Sequence, residues 1–234
     1  VRDCFLEEDG EMVIFGDKFQ NIYARSNAER ESAIVQGFGK WIALTKSYRS
    51  RGDTPLINLF RNFQIQHLIG KYADSDVFPA IDIKSSQSSL DLDLLIYEVY
   101  EIFDSQVVIE KISQYIQKYR IHPNDIAIIS SKVEYLIPIN EALKHSEKTK
   151  VMFEETSEVE AIPVAERMNP LKLREEIERI RRRKKCFFMQ NSGLIKISTT
   201  HSFKGLQAQT VFCILTPDDK AEIVYTAITR AQRN

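Results

Sequence analysis

The stretch GLIKISTTHSFKGLQAQTVFCIL, Gly193 to Leu215, reads as two strands, Gly193 to Ser198 and Thr210 to Leu215, joined by a polar loop. Each strand is a short apolar run bounded by turn residues, the pattern of a strand buried in a sheet core. In an open parallel sheet, ligands sit beyond the carboxyl ends of the strands. Thr199, His201, Lys204 and Gly205 therefore stand where a ligand would be met.

Outward from this stretch the chain alternates strand and helix. DIAIIS, Asp125 to Ser130, reads as a central strand. MVIF (Met12 to Phe15), WIALTKS (Trp41 to Ser47), DLLIYEV (Asp93 to Val99) and Lys150 to Phe153 are further strand candidates. TPLINLFRNFQIQHLIGKY opens with Thr54 as a cap and Pro55 at the first helical position. Leu56, Leu59, Phe60 and Phe63 then form an apolar stripe, with His67 at its edge. Val108, Ile112, Tyr115, Ile116 and Tyr119 have helical spacing. A helix with Pro138 in its first turn ends near His145. Leu171 to Lys185 is a charged helix with Glu175/Arg179 and Glu178/Arg182 four apart, and Asp218 or Asp219 caps a last helix, Lys220 to Ala231. Asp74 to Ser89 and Glu154 to Pro170 carry the least pattern. The alternation predicts an α/β fold, a mainly parallel sheet with helices on both faces.

The composition permits such a core. Of 234 residues, 43% are hydrophobic and 28% charged, and the net charge of −1 gives no general attraction to nucleic acid, so any basic surface is local. Three scattered cysteines and four dispersed histidines favour neither a disulfide framework nor a zinc site, and no metal site is expected. Cys186 and Cys213 read as packing residues. No apolar run approaches a membrane span, which with the cysteine usage gives the expectation of a cytoplasmic protein without a membrane partner. The first residue is Val1, so a piece of a longer chain is expected.

The other strand ends carry polar tips as well: Asp17, Gln20 and Tyr23 after the first strand, Tyr48 and Arg49 after the second, and Tyr225, Thr229 and Arg230 on the last helix. Cations, hydroxyls, a Gln and exposed aromatics, with few carboxylates, suit an anionic ligand with a flat ring, a nucleotide. Arg49 and Arg230 can clamp phosphate bidentately and Tyr48 can stack on a base. Taken alone, Arg230 is better explained by the favourable macrodipole in the last turn of a helix. RIRRRKK, Arg179 to Lys185, reads as a solvated helix face in preference to a DNA grip.

Taken in order, the tips resemble motifs of the UvrD/Rep-like superfamily 1 DNA helicases. GDKFQNIYA is similar to motif III, LTKSYRS to motif IV, STTHSFKGLQAQTVF to motif V and VYTAITRA to motif VI, over Gly16 to Ala231. The resemblance implies a RecA-like three-layer αβα lobe of P-loop NTPase type. It implies that residues 1–38 are a remnant of the first RecA-like lobe with a linker, and residues 39–234 the second lobe. Gln20 would contact the γ-phosphate. Arg49 and Arg230 would be arginine fingers and Tyr48 would stack on adenine. Lys204, Gly205 and Gln207 would line the nucleotide, with Gln207 standing where the family has a Glu towards the ribose. Tyr23, Arg25, Thr199 and His201 would lie towards single-stranded DNA.

The phosphate cradle G-x-x-x-x-G-K-[ST] is missing from this sequence. GFGK, Gly37 to Lys40, puts Ile34 at the first Gly and Trp41 at the Ser/Thr, and it precedes a strand where the cradle follows one. Glu7 to Asp9 reads as a solvated turn and not a Mg²⁺ pair. The expectation is therefore a lobe that completes an ATP site with a missing N-terminal lobe, which would also supply the Mg²⁺ ligands. The chain alone is expected to be inactive. A helicase-like nucleic-acid-binding or scaffold module without ATP turnover is the competing expectation.

Overall fold

The computed structural model describes Gln20 and residues 55–72, 95–146, 148–188 and 193–234. In chain order the regular elements are helix α1 (Pro55–Phe63), running on as a π-helical turn (Gln64–Leu68) and a 3₁₀ turn (Gly70–Tyr72); α2 (Ser105–Tyr119); β1 (Ile126–Ser130); and α3 (Val133–Ser146). Then come β2 (Thr149–Val151), α4 (Thr156–Glu160), α5 (Val164–Arg167), α6 (Pro170–Phe187), β3 (Ile195–Thr199), α7 (Thr200–Phe203), β4 (Thr210–Ile214) and α8 (Ala221–Ile228).

The described strands form one sheet in the order β2-β3-β1-β4, every pair parallel. β1, Ile-Ala-Ile-Ile-Ser, is buried at all five positions, as a central strand covered on both faces must be. Its register places Ile128 between Ile197 and Phe212. The period of two splits the side chains between two cores. Ile126, Ile128, Ile195 and Ile197 pack under Ile112 and Ile116 of α2 and Leu136, Ile139 and Leu143 of α3. Ala127 and Ile129 face the other way, onto Met152, Phe188, Phe203, Ala208 and Ala227. The result is a mixed α/β, three-layer architecture with the parallel sheet in the middle.

Local chemistry sets the element ends. Asp104 caps α2, its carboxylate accepting from the Gln106 amide at 2.8 Å, and Arg120 closes the helix in the left-handed region at φ 51°. Asn169 caps α6 by accepting from the amides of Leu171 and Lys172, with Pro170 at the first helical position.

Several expectations are corrected. Of the expected strand Asp93 to Val99, the described part, Leu95 to Val99, is irregular and exposed, with Tyr97 84% exposed. No described strand lies beside it, and β-propensity without a pairing partner does not make a strand. Glu154 to Pro170, read as pattern-poor, holds α4 and α5, and Glu155 and Glu158 form a capping box at the start of α4. Pro138 lies inside α3, five residues past Val133, and not in its first turn. Asp219 does not cap α8: its carboxylate accepts from the Thr216 amide at 2.8 Å, and Lys220 holds the N-cap position without a side-chain bond. Cys186 is exposed, whereas Cys213 packs against the second core. The strand candidates Met12 to Phe15 and Trp41 to Ser47, and the stretch Asp74 to Ser89, lie outside the described residues.

α6 carries its charges on pairs. Arg181 meets Glu154 through two hydrogen bonds, at 2.6 and 2.7 Å. Lys184 lies 3.0 Å from Glu155 and 2.7 Å from Glu158, and Arg182 lies 3.6 Å from Glu178. Arg179 turns to Glu176, three residues back, at 2.6 Å, and not to Glu175.

Candidate nucleotide site

The site is built by three segments that meet beyond β3. The first is the loop 204–209, launched by α7. Thr199 ends β3 and caps α7, its hydroxyl accepting from the Ser202 amide at 3.3 Å. Phe203 anchors the short helix in the core, and its carbonyl accepts from the Leu206 amide at 2.9 Å. Between them Gly205 sits at φ 87°, a conformation that a side chain disfavours.

The second segment follows α8. The helix ends at Ile228, so Arg230 lies two residues beyond it and not in its last turn. Its side chain is 1% exposed. Nε donates to the Thr226 carbonyl at 3.0 Å, Nη1 to the Leu206 carbonyl at 3.4 Å, and Nη2 to Thr229 Oγ1 at 3.1 Å. These bonds aim the guanidinium back under the loop. The main chain follows the same course: Ala208 N donates to the Arg230 carbonyl at 3.2 Å, and Gln232 N to the Ala208 carbonyl at 2.9 Å.

The third segment is Gln20. Its side-chain oxygen accepts from Arg230 Nη2 at 3.1 Å, and its main-chain carbonyl accepts from Lys204 Nζ at 2.8 Å. Gln20, Lys204 and Arg230, picked from three separate motifs, are thus one hydrogen-bonded cluster. A guanidinium and an ammonium gathered on two oxygens of one residue are a donor set of the kind that fits phosphate oxygens.

α8 is held from its far side. Tyr225 is buried, its hydroxyl accepting from Gln64 Nε2 and its ring stacked on Phe63 at 6.4 Å between centroids. Lys71 pairs with Glu222 one turn earlier. Gln64 belongs to the π-helical turn, whose wider winding buries both Gln64 and Leu68. His67 is exposed and lies against the Phe63 ring. Tyr225, read as a polar tip, is an anchor of this helix.

Of the remaining expected residues, Gly205 and Gln207 lie in the same loop, and Thr199 and His201 at its base. Tyr23, Arg25, Tyr48 and Arg49 lie outside the described residues. Sequence reasoning did not single out the Leu206 and Thr226 carbonyls or Gln232. The carbonyls give no side-chain signal at all, and a Gln among polar residues gives none that is specific.

A parallel sheet layered by helices, with its cationic cluster beyond a strand end, is consistent with the RecA-like αβα class. Within that class, residues 194–234 match the family model of the UvrD-like helicase C-terminal domain, which supports reading the chain as a UvrD-like helicase C-terminal fragment. The matched segment begins one residue before β3 and contains Lys204, Gly205, Gln207 and Arg230. A helicase-related role follows for it. No curated protein matches the chain.

Proposed function

We propose that the chain is the second motor lobe of an ATP-dependent DNA helicase or translocase. In this reading residues 39–234 are that lobe and residues 1–38 are the remnant of the first lobe with its linker. One observation carries it: Gln20, Lys204 and Arg230, separated by up to 210 positions, meet in one hydrogen-bonded cluster. Packing alone gives no reason to bring two cations onto one glutamine, whereas a transferring phosphoryl group needs them. Arg230, with Arg49, stabilises negative charge on that group; such arginines are worth about 10³-fold or more in rate. Gln20 senses the γ-phosphate through its bond to Arg230. Tyr48 stacks on adenine, while Lys204, Gly205 and Gln207 line the nucleotide. Tyr23, Arg25, Thr199 and His201 face single-stranded DNA. Mg²⁺, when bound with ATP, neutralises phosphate charge. In this reading its ligands belong to the first lobe.

The test is ATP hydrolysis stimulated by single-stranded DNA in the full-length protein. Arg230→Ala is expected to lower kcat by about 10³. An unchanged rate in a folded variant would remove Arg230 from the site. Turnover by the 234-residue chain alone, lost on Arg230→Ala, would overturn the shared-site reading.

The 1% exposure of Arg230 favours a second reading, a helicase-like nucleic-acid-binding or scaffold module without turnover. A fully enclosed guanidinium holds structure whether or not a nucleotide arrives. Single-strand binding by the full-length protein with no hydrolysis would select this reading.

A further inference from the structure

Among the described strands β2 is an edge of the sheet, with β3 on its inner side alone. The Lys148 carbonyl accepts from the Ile195 amide at 3.2 Å, and the Met152 amide donates to the Ile197 carbonyl at 3.2 Å. Backbone groups of a strand change side from each residue to the next. Residues 148, 150 and 152 therefore turn theirs to β3, and Thr149 and Val151 each turn an N–H and a C=O away from it. Among the described residues no hydrogen bond reaches these outward groups.

A groove of about 350 Å³ runs along that edge, walled by the end of α3, the start of α4 and the end of α6. Its charge is uneven. Four cations line it, Lys144, Lys150, Arg183 and Lys184, against two carboxylates, Glu155 and Glu158. The carboxylates are held by Lys144 and Lys184, and Arg183 stands exposed beside them. Thr149 Oγ1 donates to Asn140 Oδ1 at 2.6 Å and Val151 packs under α3, so Lys150 between them points to the opposite face. That is the face of α6, where Met152 meets Phe188. The excess positive charge thus lies on one face of the edge.

We infer that the outer edge of β2 docks an acidic, extended peptide segment of a partner protein, which joins the sheet as a further strand with its carboxylates toward Arg183 and Lys150. Main-chain pairing supplies the affinity in such strand addition, and alternate side chains supply the selectivity. None of these residues belongs to the proposed nucleotide site.

The chemistry of the edge selects this occupant. Thr149 and Val151 each offer a donor beside an acceptor, so the occupant must accept and donate at strand spacing. A peptide backbone does so, whereas the phosphates of a nucleic-acid backbone only accept. A second copy of this chain would set Lys150 and Arg183 against their own counterparts, and charge on an edge strand acts against such pairing. An acidic strand meets the same cations with the opposite sign.

The experiment titrates the full-length protein with a labelled octapeptide of alternating Glu and Val, and follows hydrogen exchange over residues 148–153. Saturable binding and slower exchange there are expected. A Lys-Val octapeptide is expected to do neither. A fully N-methylated Glu-Val octapeptide, which keeps the charge and loses every backbone donor, is expected not to bind. Arg183→Glu is expected to weaken Glu-Val binding about fivefold, the upper range for an exposed ion pair. Equal binding of the Glu-Val and Lys-Val peptides, or a folded Arg183→Glu variant that binds Glu-Val as before, overturns the acidic partner. Undiminished binding of the N-methylated form, or binding with exchange unchanged, overturns strand addition. No saturable binding at millimolar peptide overturns the docking site and leaves the cations as guards of the edge. Exchange slowed by a single-stranded oligonucleotide assigns the groove to nucleic acid, and exchange that slows with protein concentration alone assigns it to a second copy; either overturns the proposal. Exchange already slow in the dilute, peptide-free protein means that the chain covers its own edge, which overturns it too. If Arg183→Glu does not fold, the three peptides on the natural protein decide.

Discussion

Arg230 donates to the side-chain oxygen of Gln20 at 3.1 Å across 210 positions of sequence, and Lys204 donates to the main-chain carbonyl of the same residue at 2.8 Å. Both cations therefore rest on neutral carbonyl oxygens of one residue. A hydrogen bond with one ionised partner is roughly twice as strong as a neutral one, so both contacts belong to the stronger class.

Arg230→Ala is expected to destabilise the fold as well as the site. The substitution removes a buried side chain and the donor to the Thr226 and Leu206 carbonyls. The Thr226 carbonyl keeps its bond from Thr229 Oγ1 at 3.1 Å, so the Leu206 carbonyl left without this donor carries the polar cost, and about 2 kcal/mol in all is expected. Gln20→Ala removes one acceptor of a half-buried residue and is expected to cost about 1 kcal/mol. Thermal or urea unfolding measures both. An Arg230→Ala variant as stable as the natural chain would contradict the enclosed geometry, and activity comparisons belong below its lowered Tm.

Gly205→Ala tests the loop without touching a polar group. A Cβ at Gly205 meets nothing within 4 Å, so its cost is the backbone alone at φ 87°. A left-handed conformation costs an L-residue about 1–2 kcal/mol. The expected outcome is a Tm lower by a few degrees, together with weaker nucleotide binding as Lys204 is displaced. No change in Tm would mean that the loop relaxes out of this conformation freely.

Tyr225→Phe separates the two holds on α8. The ring stays on Phe63, but Gln64 loses the hydroxyl that accepts from it in a buried place. A loss of about 1–2 kcal/mol is expected. Gln64→Leu is expected to cost less than Tyr225→Phe, because it leaves a hydroxyl that can turn where the other leaves a buried amide. Equilibrium unfolding of the two variants and the double variant gives their coupling, and simple additivity would mean that the bond contributes nothing.

What the sequence disclosed followed from how local the cause was. β1 was legible because an unbroken Ile-Ala-Ile-Ile run has one comfortable place, between two helical layers. Lys204, Gly205 and Arg230 were legible because their spacing resembles that of a known family, and their meeting with Gln20 could be expected only through that resemblance. Leu95–Val99 misled, since a strand is defined by its neighbour and its own residues say nothing about whether one is there. The π-helical turn at Gln64 and the hydrogen bond from Gln232 to Gln207 were silent, because no local pattern announces a contact 161 or 25 residues away.

The basic run of α6 is expected to be neutral toward DNA. Of its six cations, Arg179, Arg181, Arg182 and Lys184 are paired with glutamates. Reversing Arg182, Arg183 and Lys185 to Glu in the full-length protein is expected to leave single-strand affinity and its salt slope unchanged. A phosphate grip by these three would lower the slope of log K against log salt by about 2, which a titration from low to moderate salt resolves.

The Glu154–Arg181 bridge should give the fold a pH-dependent component. Burial pushes the Glu154 carboxyl up. The Arg181 hydrogen bonds, a backbone hydrogen bond and the charges of Arg181 and Lys184 outweigh burial and hold it below its ordinary 4.5. The same bonds, against the opposing effect of burial, push the Arg181 guanidinium up, so it stays charged throughout. A carboxyl that binds its proton more weakly in the folded chain than in the unfolded one stabilises the fold at neutral pH. That contribution is complete above the unfolded value and drains away as pH falls through the depressed folded value. Glu154→Gln is therefore expected to lower Tm at pH 7, and the gap to the natural chain is expected to close between about pH 5 and pH 3. A gap that stays constant across this range would mean that the bridge stabilises through shape alone and not through the carboxylate charge.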